Sequence, residues 1–190
     1  MKRVLMVAIA LVALAVPAGT AMAKPSKADK REANKECKAL RGTDSATREA
    51  FKAEWGNFGK CVSAKAHEAK AERKAAKSNA AKDCREERGT TDATIAAFRA
   101  KYGTNASKKN AFGKCVSQKA KAKEKKQDKA DAAAAVEFKN AAKACDDERS
   151  ADKKAFDDKY GTNANKKNAF GKCVSQKTHE DGEGTPDDGS

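Results

Sequence analysis

The stretch YGTNASKKNAFGKCVSQK at 102–119 returns at 160–177 as YGTNANKKNAFGKCVSQK, with Asn165 in place of Ser107 as the only change. A shortened form, WGNFGKCVSAK, stands at 55–65 and lacks seven residues between Gly56 and Phe58. Each stretch has a second cysteine upstream: Cys37 before Cys61, Cys84 before Cys115 and Cys145 before Cys173. The chain is three tandem copies of one two-cysteine module, and the near-identity of the last two points to recent duplication.

Every copy reads as three helical pieces. The first carries the leading cysteine in an Ala, Lys and Glu-rich stretch such as 80–88, and stops at Gly42, at Gly89 or near Ser150. The second starts after Thr or Asp, or after Ser150 in the third copy; Ser, Thr and Asp are good N-cap types. It sets its aromatic pair four residues apart on one face, as Phe51 and Trp55, Phe98 and Tyr102, or Phe156 and Tyr160. It ends at Gly56, Gly103 or Gly161, where glycine accepts the C′ conformation. The third opens near Asn110 or Asn168 and spaces Phe112, Cys115 and Val116 for one helical face. No alternating pattern suggests a strand.

Between Gly113 and Gly161 the chain contains neither Gly nor Pro. The third helix of copy two is therefore expected to run into the first helix of copy three, over about 50 Å at 1.5 Å per residue. Residues 61–88 join copies one and two in the same way. Lysine crowding at 119–129 makes fraying there the alternative, and Val136 and Phe138 are isolated apolar residues placed to pack on a neighbouring unit. The expected fold is all-α: three tandem small disulfide-stapled helical units joined by long charged helices, extended.

The N-terminus, with Lys2 and Arg3, an apolar run from Val4 to Val16 and Ala21-Met22-Ala23, has the three parts of a secretory signal peptide. The expected organisation is signal peptide 1–23, first repeat 24–66, second repeat 67–119, a Lys-rich linker 120–129, third repeat 130–177 and an acidic disordered tail 178–190. From residue 24 onward only thirteen residues are Leu, Ile, Val or Phe, well below the roughly 20% that supports an ordinary core. Composition alone reads as disorder. Cysteines in an exported chain oxidise, and pairing within each repeat, Cys37 with Cys61, Cys84 with Cys115 and Cys145 with Cys173, would stabilise each unit by about 3 to 4 kcal/mol.

Charge is the outward-pointing feature. The full chain carries 41 Lys plus Arg against 27 Asp plus Glu. Over residues 24–177 there are 39 basic and 22 acidic residues, a net +17. Such a surface attracts polyanions by phosphate or carboxylate neutralisation. It is equally what a soluble helix shows when it has little core to bury. The loop Gly-Thr-Asn-Ala-(Ser/Asn)-Lys-Lys-Asn is the most site-like element, with Lys108 and Lys109 in copy two and Lys166 and Lys167 in copy three ahead of a helix N-terminus that favours anions. The plainer reading is a turn with an Asn N-cap and solvated lysines. Trp55 and Tyr102 could stack bases if exposed, but with so few large apolar groups they are expected in the cores.

His67 and His179 fall in different units and no Cys-x-x-Cys exists, so no metal site is expected. Nucleophile motifs are missing, and acid pairs such as Asp146 and Asp147 have no cleft to tune them. Asn105-Ala-Ser107 matches a glycosylation sequon that copy three breaks at Asn165. The unit Phe-Gly-Lys-Cys-Val-Ser-(Ala/Gln)-Lys, ending at Lys65, Lys119 and Lys177, resembles alanine- and lysine-rich secreted repeat proteins of high-GC bacteria over residues 37–177. The resemblance implies a bacterial exported protein and carries no activity with it. The expectation is a secreted or envelope-associated, non-enzymatic protein that uses no cofactor and no small-molecule substrate and has no membrane span once the signal is removed. Its expected partner is an anionic polymer, either envelope glycopolymer or extracellular nucleic acid. A structural or spacer role in the envelope is the alternative, and a cationic toxin or inhibitor the weaker one.

Overall fold

A computed structural model describes residues 24–182. The proposed signal peptide and the last eight residues of the acidic tail lie outside the described residues. The elements are α1 (Lys27–Arg41), α2 (Ser45–Trp55), α3 (Phe58–Arg88), α4 (Asp92–Tyr102), α5 (Ala111–Ala151), α6 (Lys153–Tyr160) and α7 (Ala169–Gly182). No strand occurs among the described residues, and the fold is all-α.

Local chemistry sets the helix starts. Ser26 and Asp29 form a reciprocal capping box on α1. Asp44, Asn57, Thr91 and Asp152 cap α2, α3, α4 and α6, each accepting from the backbone N–H three residues on. Gly42, Gly56 and Gly89 follow α1, α2 and α3 with φ of 58°, 72° and 62°, a region where a Cβ is costly.

Both expected junction helices are continuous. α3 carries 31 residues and α5 carries 41, so α5 is about 60 Å long at 1.5 Å per residue. Residues 120–129 form no break: they lie inside α5, with Ala120 buried. Thr178 to Gly182, the start of the stretch assigned to the tail, continue α7.

The disulfides Cys37–Cys61, Cys84–Cys115 and Cys145–Cys173 each tie two helices, with Cα atoms 6.1, 6.1 and 6.0 Å apart. All six cysteines are fully buried.

The long helices lie side by side. α3 runs back along α1, joined by Lys65 to Glu36 at 2.7 Å and Arg73 to Asp29 at 2.5 Å. α5 packs along both of them and is linked to α3 by Lys123 to Asp83 at 3.1 Å. This shaft carries the second unit at one end and the first and third units together at the other.

The last point departs from the picture of three separate cores. One apolar cluster joins Leu40, Ala50 and Phe51 of the first unit to Phe138, Phe156, Phe170 and Val174 of the third. The second unit has its own small cluster of Cys84, Phe98, Tyr102, Ala111 and Cys115, with Phe112 and Val116 against it. Phe138 is 8% exposed, whereas its neighbour Val136 is 50% exposed. Of the two isolated apolar residues on α5, only Phe138 packs on a neighbouring unit.

Candidate anion-binding surface

The two lysine loops, 103–110 and 161–168, are built alike and sit with different heads at opposite ends of α5. They form two separate places, not one site. In each, the last Asn folds back instead of capping the helix that follows. Asn110 Oδ1 accepts from the N–H of Thr104 at 3.1 Å while its Nδ2 donates to Thr104 Oγ1 at 2.7 Å. Asn168 does the same with Thr162 at 3.1 and 2.6 Å. Asn110 makes no side-chain cap to α5, so the expected Asn N-cap is replaced by a loop closure.

This closure turns the first lysine of each pair inward. Lys108 and Lys166 hold φ of 54° and 55°. Their ammonium groups donate to Gly103 O at 2.9 Å and Gly161 O at 3.0 Å. A cation on the last carbonyls complements the negative end of α4 or α6. The fold also explains the glycine: a Cβ at Gly103 would lie 2.6 Å from Arg99 O and 2.7 Å from Lys108 Cδ. Lys108 and Lys166 are therefore structural in part. Lys109 and Lys167 are exposed, as is the rest of Lys108, whereas Lys166 is half-buried.

At the head of the second unit Arg88, Arg99, Lys108 and Lys109 surround a pocket of about 330 Å³ floored by Phe98 and Phe112. Among the described residues no carboxylate lines it. The third unit does not repeat it, because Asp157 stands where Arg99 does and Arg149, the counterpart of Arg88, is held by Glu49 at 2.7 Å and Asp146 at 2.7 Å. From this head Lys114, Lys121, Lys125 and Lys129 recur along α5 at a spacing that keeps them on one face, and all four are exposed. Their ion-paired neighbours, Lys119 and Lys123, instead reach Glu87 and Asp83.

Many carboxylates are turned away from this surface. Glu87 accepts from Lys101 at 2.6 Å and from Tyr102 Oη at 2.9 Å, with Lys119 at 2.7 Å. Lys101 and Lys119, helped by the tyrosine hydroxyl, hold its carboxyl down at about 2. Glu148 repeats the arrangement with Lys159 and Tyr160 and is likewise lowered, chiefly by Lys159. In the shaft, burial and the neighbouring Asp128 push Glu32 up to about 7 against the pull of Arg73. Glu36 and Glu72 are also raised, in each case first by burial.

Two recurrent features were not read from sequence. One is the Glu87 and Glu148 cluster. The other is an arginine over the first aromatic of the trailing helix: Arg41 over Phe58 at 6.0 Å, Arg88 over Phe112 at 5.8 Å and Arg149 over Phe170 at 4.3 Å. The available signal was positional, since each arginine stands four residues after the leading cysteine and each Phe three before the trailing one. Trp55 and Tyr102 are core residues: Tyr102 is buried and Trp55 packs on the larger cluster.

Among the described residues no group of His, Cys, Asp and Glu is placed to hold a metal ion. No described helix is long and apolar enough to cross a membrane. Three intact disulfides point to an oxidising, non-cytoplasmic location. No protein-family model, curated protein or solved structure matches the chain.

Proposed function

We propose that the protein is exported and binds an anionic polymer, without catalysing a reaction, through the head of the second unit and the adjoining lysine face of α5. The observation that carries this reading is the carboxylate-free pocket of Arg88, Arg99, Lys108 and Lys109, continued by Lys114, Lys121, Lys125 and Lys129. The fold holds acidic groups such as Glu87, Glu32 and Asp29 in ion pairs away from this run. From Lys121 to Lys129 the lysines step by about 6 Å per helical turn along a rigid rod, which suits a repeating polyanion better than a small ligand. Envelope glycopolymer and extracellular nucleic acid share this chemistry. Equilibrium binding of the oxidised chain to duplex DNA and to an anionic wall polymer across a salt series tests it. A steep fall of log affinity with log salt is expected, and salt-insensitive binding or none at low salt would refute it.

A structural or spacer role in the envelope is favoured by one separate feature, the roughly 60 Å continuous helix α5 with a stapled head at each end. Recovery of the native protein in a salt-resistant cell-wall complex supports that role, and a freely diffusing monomer in the medium counts against it.

A further inference from the structure

We propose that the groove between α3 and α5 on the second unit docks one α-helix of a partner protein, a helix with small residues on its contact face and a carboxylate at its edge. The template is inside the chain. On the third unit the corresponding groove, formed by Phe138 and Ala142 of α5 with Gly171 and Val174 of α7, is covered by α2 of the first unit. A Cβ at Gly171 would lie 3.0 Å from Ala53 Cβ. Glu49 grips Arg149 through two hydrogen bonds of 2.7 and 3.0 Å. Under this cover Val174 and Ala142 are 2% and 0% exposed.

The second unit presents the same surface with no helix of the described residues on it. Phe112, Gly113, Val116 and Ser117 repeat the α7 residues letter for letter, and Ala81 stands where Ala142 does. Together with Lys77, Lys121 and the paired Arg73 and Glu124 they line a groove of about 510 Å³, so its unpaired rim charges are the two lysines. Val116 and Phe112 are only partly buried, and a Cβ at Gly113 would meet open space within 4 Å. A surface of this composition, buried in one unit and bare in its twin, is a seat for a helix.

Charge chooses the occupant. Lys77 replaces Phe138 at the groove edge, and Arg85 replaces Asp146, the intrahelical acid that pairs with Arg149. Arg88 is thus left beside a cation where its counterpart has two carboxylates. A second copy of this chain answers poorly, because its α2 is already seated and its α4 has Ala96 at the position of Glu49. A separate acidic helix fits both the apolar floor and the cationic rim.

The probe is a hydrocarbon-stapled helical peptide of residues 44–57, tested by fluorescence anisotropy against the full oxidised chain. Saturable binding is expected, about tenfold weaker to the Gly113→Leu chain and several-fold weaker for the peptide carrying Glu49→Gln. Gly113 lies on a helix in open space, so leucine there should fill the groove without disturbing the fold, with an unchanged circular dichroism spectrum as the check. No binding at millimolar peptide, or equal binding to the Gly113→Leu chain, overturns the proposal. Self-association in sedimentation that Gly113→Leu abolishes also overturns it, by giving the groove to a second copy. The polyanion surface shares Arg88 and Lys121 with this groove but not Gly113, so duplex DNA binding of the Gly113→Leu chain, expected unchanged, separates failure of the groove from failure of polyanion binding.

Discussion

Trp55 lies against Phe138 with ring centroids 5.4 Å apart, and through this contact the first and third units share one core. Phe138→Ala should destabilise the chain by about 3 kcal/mol, the usual scale for deleting a buried aromatic. Val136→Ala, two residues away and half exposed, should change stability by a few tenths of a kcal/mol. Urea unfolding of the two variants checks the contrast, and equal losses would place the clasp elsewhere.

Gly171 and Gly113 occupy the same place in two near-identical stretches, yet only Gly171 faces another helix closely. Gly171→Ala forces α2 and α7 apart and should cost about 1 kcal/mol or more. Gly113→Ala, with open space around it, should be neutral or stabilising by up to about 1 kcal/mol through helix propensity. Thermal melts of both variants decide it.

The second unit has the smaller core, five buried residues led by Phe98 and Tyr102. It should depend most on its disulfide. Replacing Cys84 and Cys115 together by serine should remove about 3 to 4 kcal/mol and release α4 first. Hydrogen exchange would then show α4 amides exchanging ahead of those of α2; exchange together would mean that the two cores are equally secure, and the opposite order that the second is the firmer.

Stability should peak in mildly acidic solution. Glu32 rises to about 7 in the fold from an ordinary value of 4.5, so the folded chain takes up a proton that the unfolded chain does not. Stability therefore increases as pH falls from about 7 to about 4.5. Glu87 works in the other sense: held at about 2, its contribution is complete above its unfolded value and is lost as pH falls below about 4.5 toward 2. Around Glu32 stand Asp29 of α1, Arg73 of α3, and Glu124 and Asp128 of α5. Asp128→Asn should flatten the gain between pH 7 and 5 while leaving the acid limb unchanged. Chemical denaturation at several pH values reads both limbs.

Helix number, the disulfide partners and the caps of α2 and α4 were legible because cysteine spacing, Gly stops and Asp and Thr starts act locally; the start expected after Ser150 falls instead at Asp152, because α5 runs on through Ala151 and the Asp152 carboxylate accepts from Ala155 N–H. The meeting of the first and third units was not. It rests on Phe138, Trp55 and small residues such as Ala50, Ala53 and Gly171, and alanines on a helix do not announce which of them will face a neighbour. A trace was present in the first copy's departures, where Leu40, Glu54 and Trp55 stand in place of Glu87, Lys101 and Tyr102. Leu40 is buried in the shared core, so the first copy exchanges an ion-paired surface cluster for apolar packing. In the lysine loops, the inward turn of Lys108 and Lys166 follows from Asn110 and Asn168 closing back on Thr104 and Thr162, a contact that a linear string of polar residues does not reveal.

Differential lysine acetylation of the oxidised chain, with and without saturating duplex DNA at low salt, read by mass spectrometry, tests the central claim most directly. The account predicts protection of Lys109, Lys114, Lys121, Lys125 and Lys129, with Lys30, Lys35 and Lys38 of α1 acetylated as in the free chain. Uniform protection of every exposed lysine, or none at the second unit, would contradict it.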